Sequence, residues 1–165
     1  MPIRFRDTFF LSMAVLLAAC GEREAPPPPD YTTTGRFDTT VVEIVTARDT
    51  IEVRAEVAAT DDQRALGLME RRQLGEYEGM WFVYPEVQDS TASFWMYRTR
   101  IPLDIAFVDS TGTIVSIRSM QPCDSPYPQS CPTYAAGARF QAALEMNQGF
   151  FASHQVGIGD RIVVR

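Results

Sequence analysis

Lysine is absent from this chain of 165 residues: all fifteen basic residues are arginine. Schiff-base chemistry, serine–lysine dyads and the lysine of a phosphate-binding P-loop are thereby excluded. Histidine occurs once, at His154, so a multi-histidine metal site cannot be built, and no metal is expected. No Gly-x-Ser-x-Gly elbow occurs, and no cofactor motif is found, so none is expected. Positive charge is in deficit, with a formal net charge of −6. That balance argues against nucleic acid, whose recognition needs a basic face, and against a polybasic grip on anionic lipid. Cysteine is scarce, at Cys20, Cys123 and Cys131 only.

A long apolar run is missing too. A spanning helix needs about 20 apolar residues, and the run from Thr8 to Ala19 offers twelve. Arg4 and Arg6 precede it and Leu17-Ala18-Ala19-Cys20-Gly21 closes it, which is the layout of an export signal. Its ending resembles the lipobox of bacterial lipoproteins. That resemblance implies cleavage before Cys20 and lipidation of that residue. An ordinary secretory signal with a chance cysteine is the rival reading. Gly21, where sorting by analogy would need Asp for inner-membrane retention, points to the periplasmic face of the outer membrane. Loss of residues 1–19 removes Arg4, Arg6 and Asp7 and takes the net charge to −7.

Residues 20–40 read as a lipidated start and a tether rich in Pro and Thr. Pro26 to Pro29 favour extended polyproline II, a semi-rigid spacer of about 3.1 Å per residue. Residues 41–165 remain for a single domain, enough for a real core. Within it Cys123 and Cys131 lie in a loop rich in Pro, Ser and Tyr. In an exported protein such a pair reads as a disulfide. A redox-active pair or two metal thiolates are the alternatives.

The hydrophobic period in this domain is mostly two. Ile51, Val53, Ala55 and Val57 alternate with polar neighbours, and Val41 to Thr46 precedes them across Arg48-Asp49-Thr50 as a hairpin partner. Thr60-Asp61-Asp62-Gln63 resembles a capping box that opens a short helix. Met80 to Tyr84, Ala92 to Tyr97, Leu103 to Val108, Thr113 to Arg118 and Phe140 to Met146 read as strands. A brief helix is expected around Gly149 to His154, and Ile162 with Val164 is expected to end the chain on the core face. Seven or eight short strands predict a mainly β fold, a compact sandwich or jelly-roll-like barrel with one or two short helices.

Several clusters together are distinctive: Arg64-Ala65-Leu66-Gly67-Leu68-Met69, Gly79-Met80-Trp81-Phe82-Val83, Phe94-Trp95-Met96, Ile101-Pro102-Leu103-Asp104-Ile105, then Leu144-Glu145 and Gly159-Asp160. In this order they resemble the family called domain of unknown function 192, an uncharacterised bacterial and archaeal group. The resemblance runs from about Val53 to Val164. It implies a compact, mostly β fold, jelly-roll-like with a short helix, and it supplies no activity.

The candidate site residues are Trp95, Arg98, Asp104, Tyr134 and Glu145. Trp95 offers a platform for a sugar ring or a partner, against a plain packing role. Asp104 alternates with Leu103 and Ile105, so it is expected on the other face beside Ala106, where Arg98 or Arg100 can pair with it. Pinning backbone there competes with a general acid or base role. Glu145 alternates with Leu144 and Met146 and is expected on the same non-core face as Asp104. Two carboxyls about 5 to 10 Å apart in one cleft hydrolyse glycosidic bonds. Tyr134 either hydrogen-bonds inward or lines that opening, and His154 reads as a capping or solvated residue. The expectation is a lipid-anchored envelope protein that binds or scaffolds cell-wall glycan, an envelope protein or a small ligand, with binding favoured over catalysis and catalysis left open. A carboxylate-dependent polysaccharide hydrolase and a purely structural assembly factor are the alternatives.

Overall fold

The computed structural model describes residues 37–165, so the segment read as an export signal, Cys20 and most of the expected tether lie outside the described residues. Alternating side chains from Asp38 to Val45 (β1) and Thr50 to Ala58 (β2) pair as the expected antiparallel hairpin. Thr60 then caps helix α1 (Asp61–Leu66). Its side chain accepts from the Gln63 backbone N–H while the Gln63 side chain accepts from the Thr60 N–H, the reciprocal box read in the sequence. The chain crosses over and returns as β3 (Glu78–Gln88), parallel to β2. No other strand pair in the main sheet is parallel among the described residues.

Next come β4 (Ser93–Trp95), the hairpin of β5 (Leu103–Val108) and β6 (Ile114–Met120), and a single 3₁₀ turn at Pro128–Ser130. β7 (Thr133–Ala135), β8 (Phe140–Asn147), α2 (Phe150–Ser153) and β9 (Arg161–Val164) complete the order. Seven strands form one sheet in the order β6-β5-β8-β3-β2-β1-β9, and β4 pairs with β7 as a separate ribbon. The mainly β fold with two short helices is as the sequence predicts.

The layering is lopsided. One face of the large sheet buries Val42, Ile44, Val53, Leu144 and Met146 with Phe150 and Phe151 of α2. The other face buries Met80, Phe82, Ile105, Phe107 and Phe140, and there the ribbon lays Phe94 on Phe82 and Phe107 at ring separations of 5.1 and 5.5 Å. Because both faces are covered, β5 is buried at all six positions. The two edge strands meet at one corner, where Ile114 N–H donates to Asp160 O at 2.8 Å and Ile162 N–H to Gly112 O at 2.7 Å. The sheet is therefore strongly curved without being a closed barrel. Ile162 is buried as expected, but Val164 is 44 % exposed, because β9 has no neighbour on its outer side there.

Gly79 sits on β3 directly against β8. A Cβ there would lie 2.5 Å from the Glu145 carbonyl oxygen and 2.6 Å from the Met146 sulfur. Only glycine lets the strands approach this way, and that approach fixes Glu145 beside Met80.

Candidate functional site

Glu145 is set by register. It pairs with Met80 of β3 and with Ile105 of β5, both members of the core beneath the ribbon, so its side chain enters that core. Only 4 % of the residue is exposed. No hydrogen-bond donor reaches its carboxyl among the described residues, and no cation pairs with it. Burial alone pushes its pKa up to about 8, so at neutral pH the group is chiefly a neutral acid. Native interiors seldom leave a polar group unpartnered, since it forfeits solvation without a return.

The carboxyl faces a narrow recess. Its walls are the Arg64 to Met69 segment, Phe82, Phe94, Trp95 and Thr99. Space for water centres is about 20 Å³, which admits one water or one small functional group. Trp95 is 40 % exposed and stands at the rim, with the Tyr97 ring 5.8 Å from it. Thr99 is buried at the wall, and its N–H closes a turn onto Met96 O at 3.0 Å. Arg64 is committed elsewhere: it donates to the carbonyls of Ala59 and Val83, pairs with Asp61, and stacks over Tyr84 at 4.8 Å.

The rim is braced from below. Glu70 accepts from Arg98 Nε and from Arg100 Nε, each at 2.6 Å. Hydrogen bonds from Arg100 and then Arg98 hold the Glu70 carboxyl below its ordinary range. Glu70 and Arg98 both take positive φ, 61° and 56°, and Glu70 N–H donates to Arg98 O at 2.8 Å. This clasp ties the Gly-Leu-Met segment to the Met96–Thr99 turn on opposite sides of the recess.

Other sequence candidates fall elsewhere. Asp104 points to the opposite face of the sheet from Glu145, because it is the strand neighbour of Ile105, which shares a face with Glu145. The expected two-carboxyl cleft is therefore not formed. The physical reason is that β8 is buried on both faces, so alternation with Leu144 and Met146 moved Glu145 from one core into another. Asp104 accepts from Ser119 Oγ at 2.6 Å and from Gly149 N–H at 2.8 Å, fastening β6 and the start of α2. Arg98 and Arg100 pair with Glu70 and not with Asp104. The Tyr134 hydroxyl accepts from Gln121 N–H at 3.0 Å and does not line the recess. His154 closes α2, with Nδ1 2.9 Å from Phe150 O and its ring 4.3 Å from the Phe150 ring.

Cys123 and Cys131 are joined as a disulfide. Cys123 also meets the rim: it bridges Tyr97, and its carbonyl accepts from Arg98 N–H at 2.9 Å. Among the described residues no cluster of three or more His, Cys, Asp or Glu is placed to hold a metal. Sequence reading missed Arg64 and Thr99 as lining residues. A signal for the first was present, since four clusters that carry the family resemblance supply lining residues of one recess: Arg64 to Met69, Phe82, Phe94 with Trp95, and Glu145.

The model of the family DUF192, described as an uncharacterized ACR, matches residues 43–164. A crystal structure from Sinorhizobium meliloti 1021, provisionally named a transcription regulator, is 30 % identical and has a TM-score of 0.69. The match covers 79 % of this chain and 97 % of that one. A crystal structure of a protein of unknown function from Novosphingobium aromaticivorans DSM 12444 is 31 % identical, with a TM-score of 0.64. That match covers 76 % of this chain and 84 % of the other. No curated protein matches the chain.

Proposed function

Since the chain belongs to the DUF192 family, whose description carries no activity, function has to be argued from the site, and we propose a ligand-binding module of the cell envelope seated at the Glu145 recess. The observation that carries this reading is a buried, unpartnered carboxyl opening beside a half-exposed tryptophan. A flat ring or stem covers Trp95, and one small polar group of the ligand enters the recess to satisfy Glu145. A glycan suits this division, because a sugar presents an apolar face to an aromatic ring and projects single polar groups from its edge.

Hydrolysis is disfavoured, since it needs two carboxyls about one bond and Asp104 lies on the far face. The regulatory role in the Sinorhizobium relative's name is not carried over, because a net charge of −6 opposes contact with nucleic acid. Anchoring through a lipid on Cys20, with the tether holding the domain off the outer membrane, is part of the same proposal. It rests on the sequence from Arg4 to Gly21. A Cys20→Ser variant is expected to leave the membrane fraction, and one that stays bound would contradict the anchor.

Nitrogen-resolved NMR of the full chain, titrated with chitotriose and with its fully de-N-acetylated counterpart, tests the seat. At least one sugar is expected to shift the Trp95 indole signal saturably while the buried Trp81 signal stays, and Trp95→Ala abolishes binding. No saturable shift from either sugar up to about 10 mM, well past the weak end of specific contacts, overturns the reading.

A further inference from the structure

Resting on the reading of the recess as a ligand seat, we infer that the group seated against Glu145 is a primary ammonium, so that the ligand is an amine whose ring or carbon stem lies along Trp95. Three observations narrow the choice. First, size: the recess admits about one water's worth of atoms, which an ammonium fills and an acetamido group or a guanidinium exceeds. Second, charge: every arginine close to the site is committed, Arg64 to two carbonyls and Asp61, Arg98 and Arg100 to Glu70, so Glu145 has no internal cation. Third, the rim: an ammonium entering past Trp95 passes within reach of an exposed indole, the aromatic ring best suited to attract a cation.

The groups that face Glu145 from its surroundings are few. β3 presents Met80 and, further along, Tyr84, whose phenol is pushed up to about 12 chiefly by burial. β5 presents Ile105, α1 presents Arg64, and the Met96–Thr99 turn presents Thr99. Arg64 is the one cation among them, and its guanidinium is taken up by two carbonyls and Asp61, so an ionised Glu145 has no paired cation. A cation from outside completes the site, whereas a hydroxyl or amide would leave the acid neutral.

Binding is then a proton exchange with a definite balance. The Glu145 carboxyl gives its proton to solvent, and the carboxylate forms an ion pair with the incoming ammonium; no covalent bond changes. Since burial raises the Glu145 carboxyl to about 8, affinity for a primary amine rises about tenfold between pH 6 and pH 7 and levels off above pH 8 for as long as the amine stays protonated. Close to one proton is released per ligand bound at pH 7.

Isothermal calorimetry on the full chain, in two buffers of different ionisation enthalpy, separates these outcomes with benzylamine and its isostere benzyl alcohol. Benzylamine is expected to bind more tightly by at least about tenfold at pH 8, with the proton release and pH slope above. Glu145→Gln removes that preference and the proton release. If that variant fails to fold, the pH series on the natural chain decides alone. Equal binding of amine and alcohol without proton release, or binding of neither, overturns the inference; the ligand seat itself stands or falls separately on the chitotriose titrations. Glucosamine trimer against cadaverine then assigns the source of the ammonium, a sugar ring or an alkyl chain, and failure of both to outbind benzyl alcohol also counts against it.

Discussion

At the residue scale two buried acids behave oppositely because their partners differ. Asp104 is held by a hydroxyl and a backbone N–H, so removing it strands two donors. Asp104→Ala is expected to lower unfolding stability by about 2 kcal/mol without altering binding at the recess, which denaturant titration and the sugar titration check together. Glu145 has no such partners, and its carboxyl is raised from the ordinary 4.5 to about 8. Between these values the folded state keeps a proton that the unfolded state has lost. Its contribution is therefore fully favourable below pH 4.5 and is lost as pH climbs through 8. Denaturation midpoints of the natural chain should fall across that window by a few kcal/mol in free energy, while those of Glu145→Gln hold level; parallel slopes would contradict the burial of this acid. The sequence revealed that Glu145 alternates with core residues, but not which face it joined. Alternation identifies a buried side only when the other side is wet, and in β8 neither is.

At the scale of elements, the hairpins were legible because their turns and their period of two agree. β1 with β2, β5 with β6, and the Thr60 capping box all lie where the local residues put them. The strand β4 lies within the Ala92–Tyr97 stretch that reads as one, but its pairing with β7 was not legible, since the two are three residues each and forty positions apart, with the disulfide loop between them. The parallel pairing of β2 with β3 also escaped local reading, because a crossover leaves no turn signature. The disulfide ties this loop to the rim through the Cys123 contacts with Tyr97 and Arg98. Closing a loop of this length contributes about 2.5 kcal/mol on the chain-entropy model. Mild reduction should lower the melting temperature accordingly and broaden the Trp95 indole signal, whereas an unchanged signal would mean that the loop does not brace the rim.

At the scale of the molecule, one curved sheet with a core on each face makes the site possible. The α2 side closes over purely apolar side chains and Asp104. The ribbon side closes over apolar side chains, buried Thr99 and Ser116 and the unpaired acid Glu145, whose recess is lined by half-exposed Trp95. The family clusters were readable as separate words in the chain, yet their convergence required the β2–β3 crossover and the close approach at Gly79. The recess stands or falls with the state of its acid. Carbon-13 NMR of the full chain with labelled glutamate carboxyls, Glu145 assigned by its loss in Glu145→Gln, reads that state without any ligand. A midpoint at about 8 is the predicted result; a midpoint in the ordinary glutamate range would mean that Glu145 is solvated or paired, and would contradict the neutral, unpartnered acid on which this account of the recess is built.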